Sequence, residues 1–276
     1  MCNRGNITSG GKIVGGYRPR VHSLAKYAAL FAKRSDSIYL GINYFCTGAI
    51  IGEDVILTAA HCVDQFLPYT NQKGRLLIIV GTAHRLHIAR QAQYEMIERI
   101  KVHESFDRRN PTHDDIALVW LANPITIDGV FRDIAPLADY PSPSLVCTVI
   151  GWGRLYPNGP IPDEILYAEL NITNRDNCKI FGGVVNENNY CTLSHDHENP
   201  QTPCMGDSGA PLFCGDEIHG VLSYGDRDCN YFSIYTGIYK YLHWIQELKS
   251  AKMNGDIIKA QRSFLILLFF YVILRY

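Results

Sequence analysis

Long hydrophobic runs and an excess of charge of either sign are both missing from this chain of 276 residues. Lys and Arg number 26 against 27 Asp and Glu, a net charge of −1. A surface so balanced gives no electrostatic reason to expect nucleic acid or an anionic membrane as partner. Paired Cys-x-x-Cys knuckles are absent, which argues against a structural zinc site built from the cysteines. No apolar stretch follows Met1, so no signal peptide is visible. One uninterrupted apolar run, Phe264 to Leu274, spans eleven residues. A membrane-crossing helix needs about twenty, so this run is too short to cross.

The composition that remains, 47% hydrophobic and 19% charged, is that of an ordinary globular protein with a sizeable core. Nine cysteines suit an oxidising compartment better than cytosol. That conflicts with the missing signal peptide. The cysteine pattern carries more weight, so the expectation is a secreted protein whose N-terminus is incomplete or unconventional. Small residues near Asn254-Gly255 ahead of the apolar run faintly resemble a lipid-anchor signal, which leaves membrane association through the tail as the alternative.

Three stretches carry chemistry. In Pro203-Cys204-Met205-Gly206-Asp207-Ser208-Gly209-Ala210-Pro211-Leu212 a serine stands between two glycines and follows an aspartate. Glycine admits close backbone approach and positive φ, so the amides of Gly206 and Ser208 can converge on a developing oxyanion. A surface turn rich in turn residues is the bland alternative. Upstream, Leu57-Thr58-Ala59-Ala60-His61-Cys62 ends an apolar β-type run from Gly48 to Leu57 with a histidine. Between them, His113-Asp114-Asp115-Ile116-Ala117-Leu118-Val119-Trp120 sets a carboxylate at the mouth of a strongly apolar strand. There it can be buried and aimed at an imidazole. His, Asp and Ser in that order, each in its own context, are not a chance set.

These stretches, with Ile13-Val14-Gly15-Gly16, Gly151-Trp152-Gly153 and Ser223-Tyr224-Gly225, resemble the chymotrypsin-fold (trypsin-like) serine endopeptidases, in the family's order from about residue 13 to about 248. The resemblance implies an all-β fold of two packed six-stranded antiparallel β-barrels with a C-terminal helix. It divides the chain into a propeptide-like segment over 1–12, a protease domain over 13–248 whose halves join near 136–146, and a tail over 249–276. Ser208 becomes the nucleophile, His61 the general base, Asp115 the group that orients the imidazole, and Ser223 a support for Asp115. Lys12 becomes an activation cleavage site. Cutting after it frees the Ile13 ammonium to pair with Asp207, since a buried carboxylate needs a counter-charge. The partners so implied are protein or peptide substrates, an activating protease and a protein inhibitor, acting on a monomer without a cofactor. The alternative is a weak or inactive homologue that serves as a binding protein.

Eight cysteines allow 105 pairings from sequence alone. The resemblance selects Cys46–Cys62, Cys147–Cys214, Cys178–Cys191 and Cys204–Cys229, and leaves Cys2 over: free, paired with another chain or removed. It also sets Thr202, Ser223, Gly225 and Ser233 around the primary substrate pocket. Trypsin-type members carry aspartate where Thr202 stands, so a buried guanidinium or ammonium would lack its counter-charge. Cleavage after uncharged residues, chymotrypsin-like or elastase-like, is expected. Asp226 and Asp228 near the rim are the features that could still draw basic residues.

The rest of the chain is read from its pattern. Ala28–Ala32, Cys46–Ile51, Val55–Ala60 and Leu76–Val80 are short apolar runs between turns, as in an all-β unit, and Leu166–Ile172 and Gly220–Tyr224 continue them. The stretch 82–92, where many relatives bind calcium, contains no carboxylate, so no calcium site is expected. His84 and His87 read as solvated loop residues, as do His113 and Asp114. His195-Asp196-His197-Glu198 is too tightly spaced to prefer a metal over solvent, and no metal is expected. Leu242, Ile245 and Leu248 predict a helix over 239–249. Pro136 to Ser144 reads as the linker, and Asn6-Ile7-Thr8 and Asn171-Ile172-Thr173 as glycosylation sequons.

Overall fold

The structure, a computed structural model, describes residues 13–66, 76–87, 89–142, 146–196 and 198–252. Lys12, Cys2, Asn6, His197 and the apolar run 264–274 lie outside the described residues. Twelve strands form two closed barrels, every neighbouring pair antiparallel. The first contains β1 (Ala28–Lys33), β2 (Tyr44–Gly52), β3 (Val55–Thr58), β4 (Leu76–Val80), β5 (Gln93–Val102) and β6 (Ala117–Leu121) in the order 1-2-3-6-5-4. The second contains β7 (Val146–Gly151), β8 (Leu166–Thr173), β9 (Asn189–Ser194), β10 (Pro211–Cys214), β11 (Glu217–Gly225) and β12 (Phe232–Gly237) in the order 7-8-9-12-11-10. The two orders are the same path traced twice. Closure leaves no unpaired strand edge.

Local sequence explains the strands. β1, β3, β4 and β6 are Ala-, Val-, Ile- and Leu-rich and almost wholly buried, which suits strands covered on both sides. β5 mixes exposed and buried positions and faces solvent along much of its length. The apolar run from Gly48 to Leu57 is not one strand. It folds at Glu53-Asp54 into the β2–β3 hairpin, and only then reaches the short helix α1 (Ala60–Val63) that bears His61.

The join between the barrels is held to the second of them. Ile218 N–H donates to Pro136 O, and Ala138 N–H donates to Ile218 O. All eight cysteines from Cys46 to Cys229 are paired, as Cys46–Cys62, Cys147–Cys214, Cys178–Cys191 and Cys204–Cys229. The C-terminal helix begins at 242, three residues later than the pattern predicts, and continues to 252, the last residue described there, with Ile245 its most buried apolar position. Among the described residues no helix is long and apolar enough to cross a membrane.

Candidate active site

His61 and Asp115 both belong to the first barrel, on α1 and just ahead of β6. The Asp115 side chain is fully buried, while the imidazole is 30% exposed. His61 Nδ1 lies 2.7 Å from Asp115 Oδ2, and the His61 backbone N–H donates to Asp115 Oδ1 at 2.9 Å. Ser223 Oγ donates to Asp115 Oδ2 at 2.7 Å, and Thr236 Oγ1 donates to the Asp115 carbonyl at 3.0 Å. Two hydroxyls of the second barrel thus hold Asp115 from behind, Ser223 at its carboxylate and Thr236 at its backbone carbonyl. Burial lowers the His61 pKa. The charge and hydrogen bond of Asp115 raise it by more, with Asp64 adding and Arg108 opposing, so the net shift is upward.

The second barrel supplies Ser208, on the loop before β10. Three consecutive peptide units around it have their carbonyls engaged. Met205 O accepts from Arg154 N–H at 2.9 Å, Gly206 O from the Tyr44 hydroxyl at 2.6 Å, and Asp207 O from Ala210 N–H at 2.8 Å. The Asp207 N–H is also used, by Cys204 O at 3.0 Å. The N–H groups of Gly206 and Ser208 have no partner among the described residues. Two adjacent donors left open in an otherwise satisfied loop form a ready site for an anionic oxygen. Gly206 adopts φ +103°, a conformation open to glycine and strained for any residue with a Cβ.

Asp207, beside the serine, is fully buried. Its carboxylate accepts from Gly153 N–H at 2.7 Å and Cys204 N–H at 2.9 Å. Burial pushes its pKa up to about 6 against the pull of those two amides. A Cβ on Gly151 or Gly153 would stand 2.1 or 2.2 Å from a carboxylate oxygen of Asp207. The Gly151-Trp152-Gly153 motif is therefore the clearance that this aspartate needs. Ile13 is also fully buried, packed in the second barrel's core with Val149, Leu166 and Leu212.

His61 and Ser208 line one cavity of about 640 Å3, together with Met205, Leu222, Tyr224 and Gly225. No hydrogen bond joins Ser208 Oγ to His61 Nε2, and the polar atom recorded near that nitrogen is Cys62 Sγ at 4.0 Å. Such bonds tighten when substrate closes the site. Ser223 lines the cavity as well, whereas Thr202 and Ser233 lie buried outside its lining. Ser233 Oγ pairs with Thr192 Oγ1 at 2.7 Å, and Thr202 Oγ1 has no partner among the described residues. Asp226 spends its carboxylate on the N–H groups of Asp228 and Asn230.

Several polar residues have partners that sequence order conceals. His84 and His87 are solvent-exposed loop residues as read, 45% and 75% at the side chain, and both turn Nδ1 to Asp163, at 3.3 and 2.7 Å, while Leu86 N–H donates to the same carboxylate at 2.6 Å. Arg85 between them is buried and donates to the carbonyls of Gly41, Ile161 and Pro162. Asp114, read as a surface residue, is buried at φ +50° and paired with His113. Asp196 caps its own loop by accepting from Glu198 and Asn199 N–H, and His195 pairs with Asn171. Cys46, Cys62 and His61 come close enough to suggest a metal site, but the two sulfurs are joined and no thiolate exists. The residues missed from sequence are Tyr44, Thr47 and Thr236, whose contacts with the site span up to 162 positions.

Comparison with known proteins agrees with this fold. The trypsin family's sequence profile matches residues 13–245. Duodenase-1 of Bos taurus is 28% identical over 254 residues, covering 90% of this chain and 93% of its own. Trypsin-3 of Salmo salar is 29% identical over 246 residues, covering 87% and 94%. Among solved structures, neuropsin, a serine protease of mouse brain, superposes with a TM-score of 0.70 at 24% identity, over 83% of this chain and 96% of that one.

Proposed function

The chain belongs to the trypsin family of serine endopeptidases, and from that premise we propose that Ser208, His61 and Asp115 hydrolyse peptide bonds through an acyl-enzyme. His61 Nε2 takes the Ser208 hydroxyl proton as Oγ attacks the scissile carbonyl, then returns it to the leaving amine. Asp115 keeps the Nδ1 proton in place and stabilises the imidazolium, with Ser223 and Thr236 behind it. The N–H groups of Gly206 and Ser208 receive the oxyanion. The observation that carries this reading is the pair of open donors beside a serine that shares its cavity with a carboxylate-bound imidazole.

Protein or peptide substrates follow from the family. Cleavage after Lys12 frees the Ile13 ammonium to neutralise Asp207, whose buried carboxylate otherwise lacks a cation among the described residues. The substrate's residue at the cleaved bond is read as uncharged: the family's counter-charge position is Thr202 here, buried behind the cavity lining, with a hydroxyl and no carboxylate. Four disulfides support an extracellular setting. The test is a fluorophosphonate label on the protein cut after Lys12, followed by a peptide-library profile. Label should be absent from Ser208→Ala and weak in uncut protein. Equal labelling of Ser208→Ala overturns the nucleophile, and a profile dominated by Lys or Arg overturns the pocket.

A further inference from the structure

Of the three carbonyls that fix the loop around Ser208, two are held by backbone N–H groups and one by a side chain. Met205 O and Asp207 O rest on Arg154 and Ala210, whose backbone donors no substitution short of proline removes. Gly206 O rests on the Tyr44 phenol, at 2.6 Å, across the boundary between the barrels. That carbonyl belongs to the 206–207 peptide, which lies between the planes carrying the two open donors. Rotating it has to be absorbed at Gly206, the residue with no Cβ to resist.

We propose that Tyr44 is a positioning residue of the oxyanion loop: its hydroxyl locks the 206–207 peptide and so fixes the angle between the Gly206 and Ser208 N–H groups. This rests on reading those two groups as the oxyanion donors. A carbonyl only accepts, so the phenol proton points to Gly206 O and the Thr47 hydroxyl, 2.6 Å away, donates to the phenol oxygen. Thr47 reaches the loop a second time, its N–H donating to Ser208 O at 2.9 Å. The strand β2 thus grips the loop on both sides of Asp207. Tyr44 is itself immobilised, buried with its ring edge-on to Trp152 at 6.0 Å. Burial raises its pKa well above the ordinary phenol value, so the donor proton stays in place through the working pH range. Thr58 completes the chain by donating from Oγ1 to Thr47 O at 2.8 Å.

The experiment uses full-length protein cut after Lys12 and compares wild type, Tyr44→Phe, Thr47→Val and the double variant on a peptide amide. It measures kcat, KM, the pH midpoint of kcat, and binding of a peptide boronate and of the amine-side product peptide, which does not reach the oxyanion donors. Tyr44→Phe should lower kcat and boronate affinity roughly five- to tenfold, the worth of one hydrogen bond at its upper range. KM, product binding and the pH midpoint should stay unchanged, because His61 and the pocket are untouched. Thr47→Val should lower kcat about twofold through the weakened phenol, and add nothing to Tyr44→Phe. A kcat within twofold of wild type in Tyr44→Phe, or parallel loss of product binding and boronate binding, overturns the proposal. Should Tyr44→Phe fail to fold, an unchanged kcat in Thr47→Val overturns it instead. Wild type that neither turns over nor takes a fluorophosphonate label brings down the hydrolytic reading, and this inference with it.

Discussion

At the scale of single residues, the site sets a buried, fully partnered carboxylate behind a part-exposed imidazole. Replacing Asp115 by Asn keeps the shape but removes the charge that sets the His61 tautomer. It should cut kcat by about 10⁴-fold, the size known for this family's triad rather than one derived from this geometry. His61 must be neutral to accept the Ser208 proton, and its pKa is raised, chiefly by Asp115 against burial. The acid limb of the rate profile should therefore have its midpoint above about 6.5, the ordinary histidine value. Activity falls as pH drops through that midpoint and His61 takes up its proton. In Asp115→Asn the midpoint should move to lower pH, since burial, the largest single effect, is then opposed only by the weaker pull of Asp64; a pH series of kcat for both proteins checks the order.

At the scale of elements, loops are held by residues from the opposite barrel. The 82–87 loop is fastened by Asp163, which accepts from Leu86 N–H, His84 and His87. Desolvation raises the Asp163 pKa, but these three donors lower it by more, so the carboxylate stays ionised and holds the loop from above its own ordinary pKa upward. Asp163→Ala should lower stability by about 0.5–1.5 kcal/mol, the net worth of one hydrogen bond, since Leu86 N–H is only part-buried and both histidines are solvent-exposed; urea melts at neutral pH measure it. Calcium and a chelator should each leave the melting temperature of the wild type unchanged, because the 82–92 stretch contributes no carboxylate. The helix at the C-terminus shows how an element boundary slips in sequence. Leu242, Ile245 and Leu248 give the right period, but the period alone does not mark the first turn, and the helix begins only at 242.

At the scale of the whole molecule, the proposed cut after Lys12 would act on the fold through the buried Asp207. In the uncut chain its folded pKa of about 6 exceeds the unfolded value of about 3.9. Between those values the folded state binds more proton than the unfolded state, so stability falls as pH rises from about 4 to 6 and stays lower above. Two units correspond to about 3 kcal/mol. Uncut protein, kept so by Lys12→Gln, should lose about that much between pH 4 and 7 relative to its Asp207→Asn version. Protein with a free Ile13 should not, because the ammonium lowers the carboxyl's pKa again. Denaturant titrations at the two pH values decide it: an uncut protein whose pH dependence matches that of Asp207→Asn contradicts the assignment.

The residue types in order settled much of this protein before any coordinate. A serine, a histidine and an aspartate each stand in a distinctive local context, strands are short apolar runs between turns, and both are local properties that one-dimensional pattern preserves. The family and fold class followed from those. What the tertiary structure alone decided is the set of partners far apart in the chain. Tyr44 on Gly206, Thr236 on Asp115, Asp163 on the 82–87 loop and Gly151 beside Asp207 each join positions separated by dozens of residues. A hydroxyl or carboxylate carries no mark in sequence of which distant group it will satisfy. Burial creates that demand, and only the closure of both barrels determines which donors and acceptors are left facing one another.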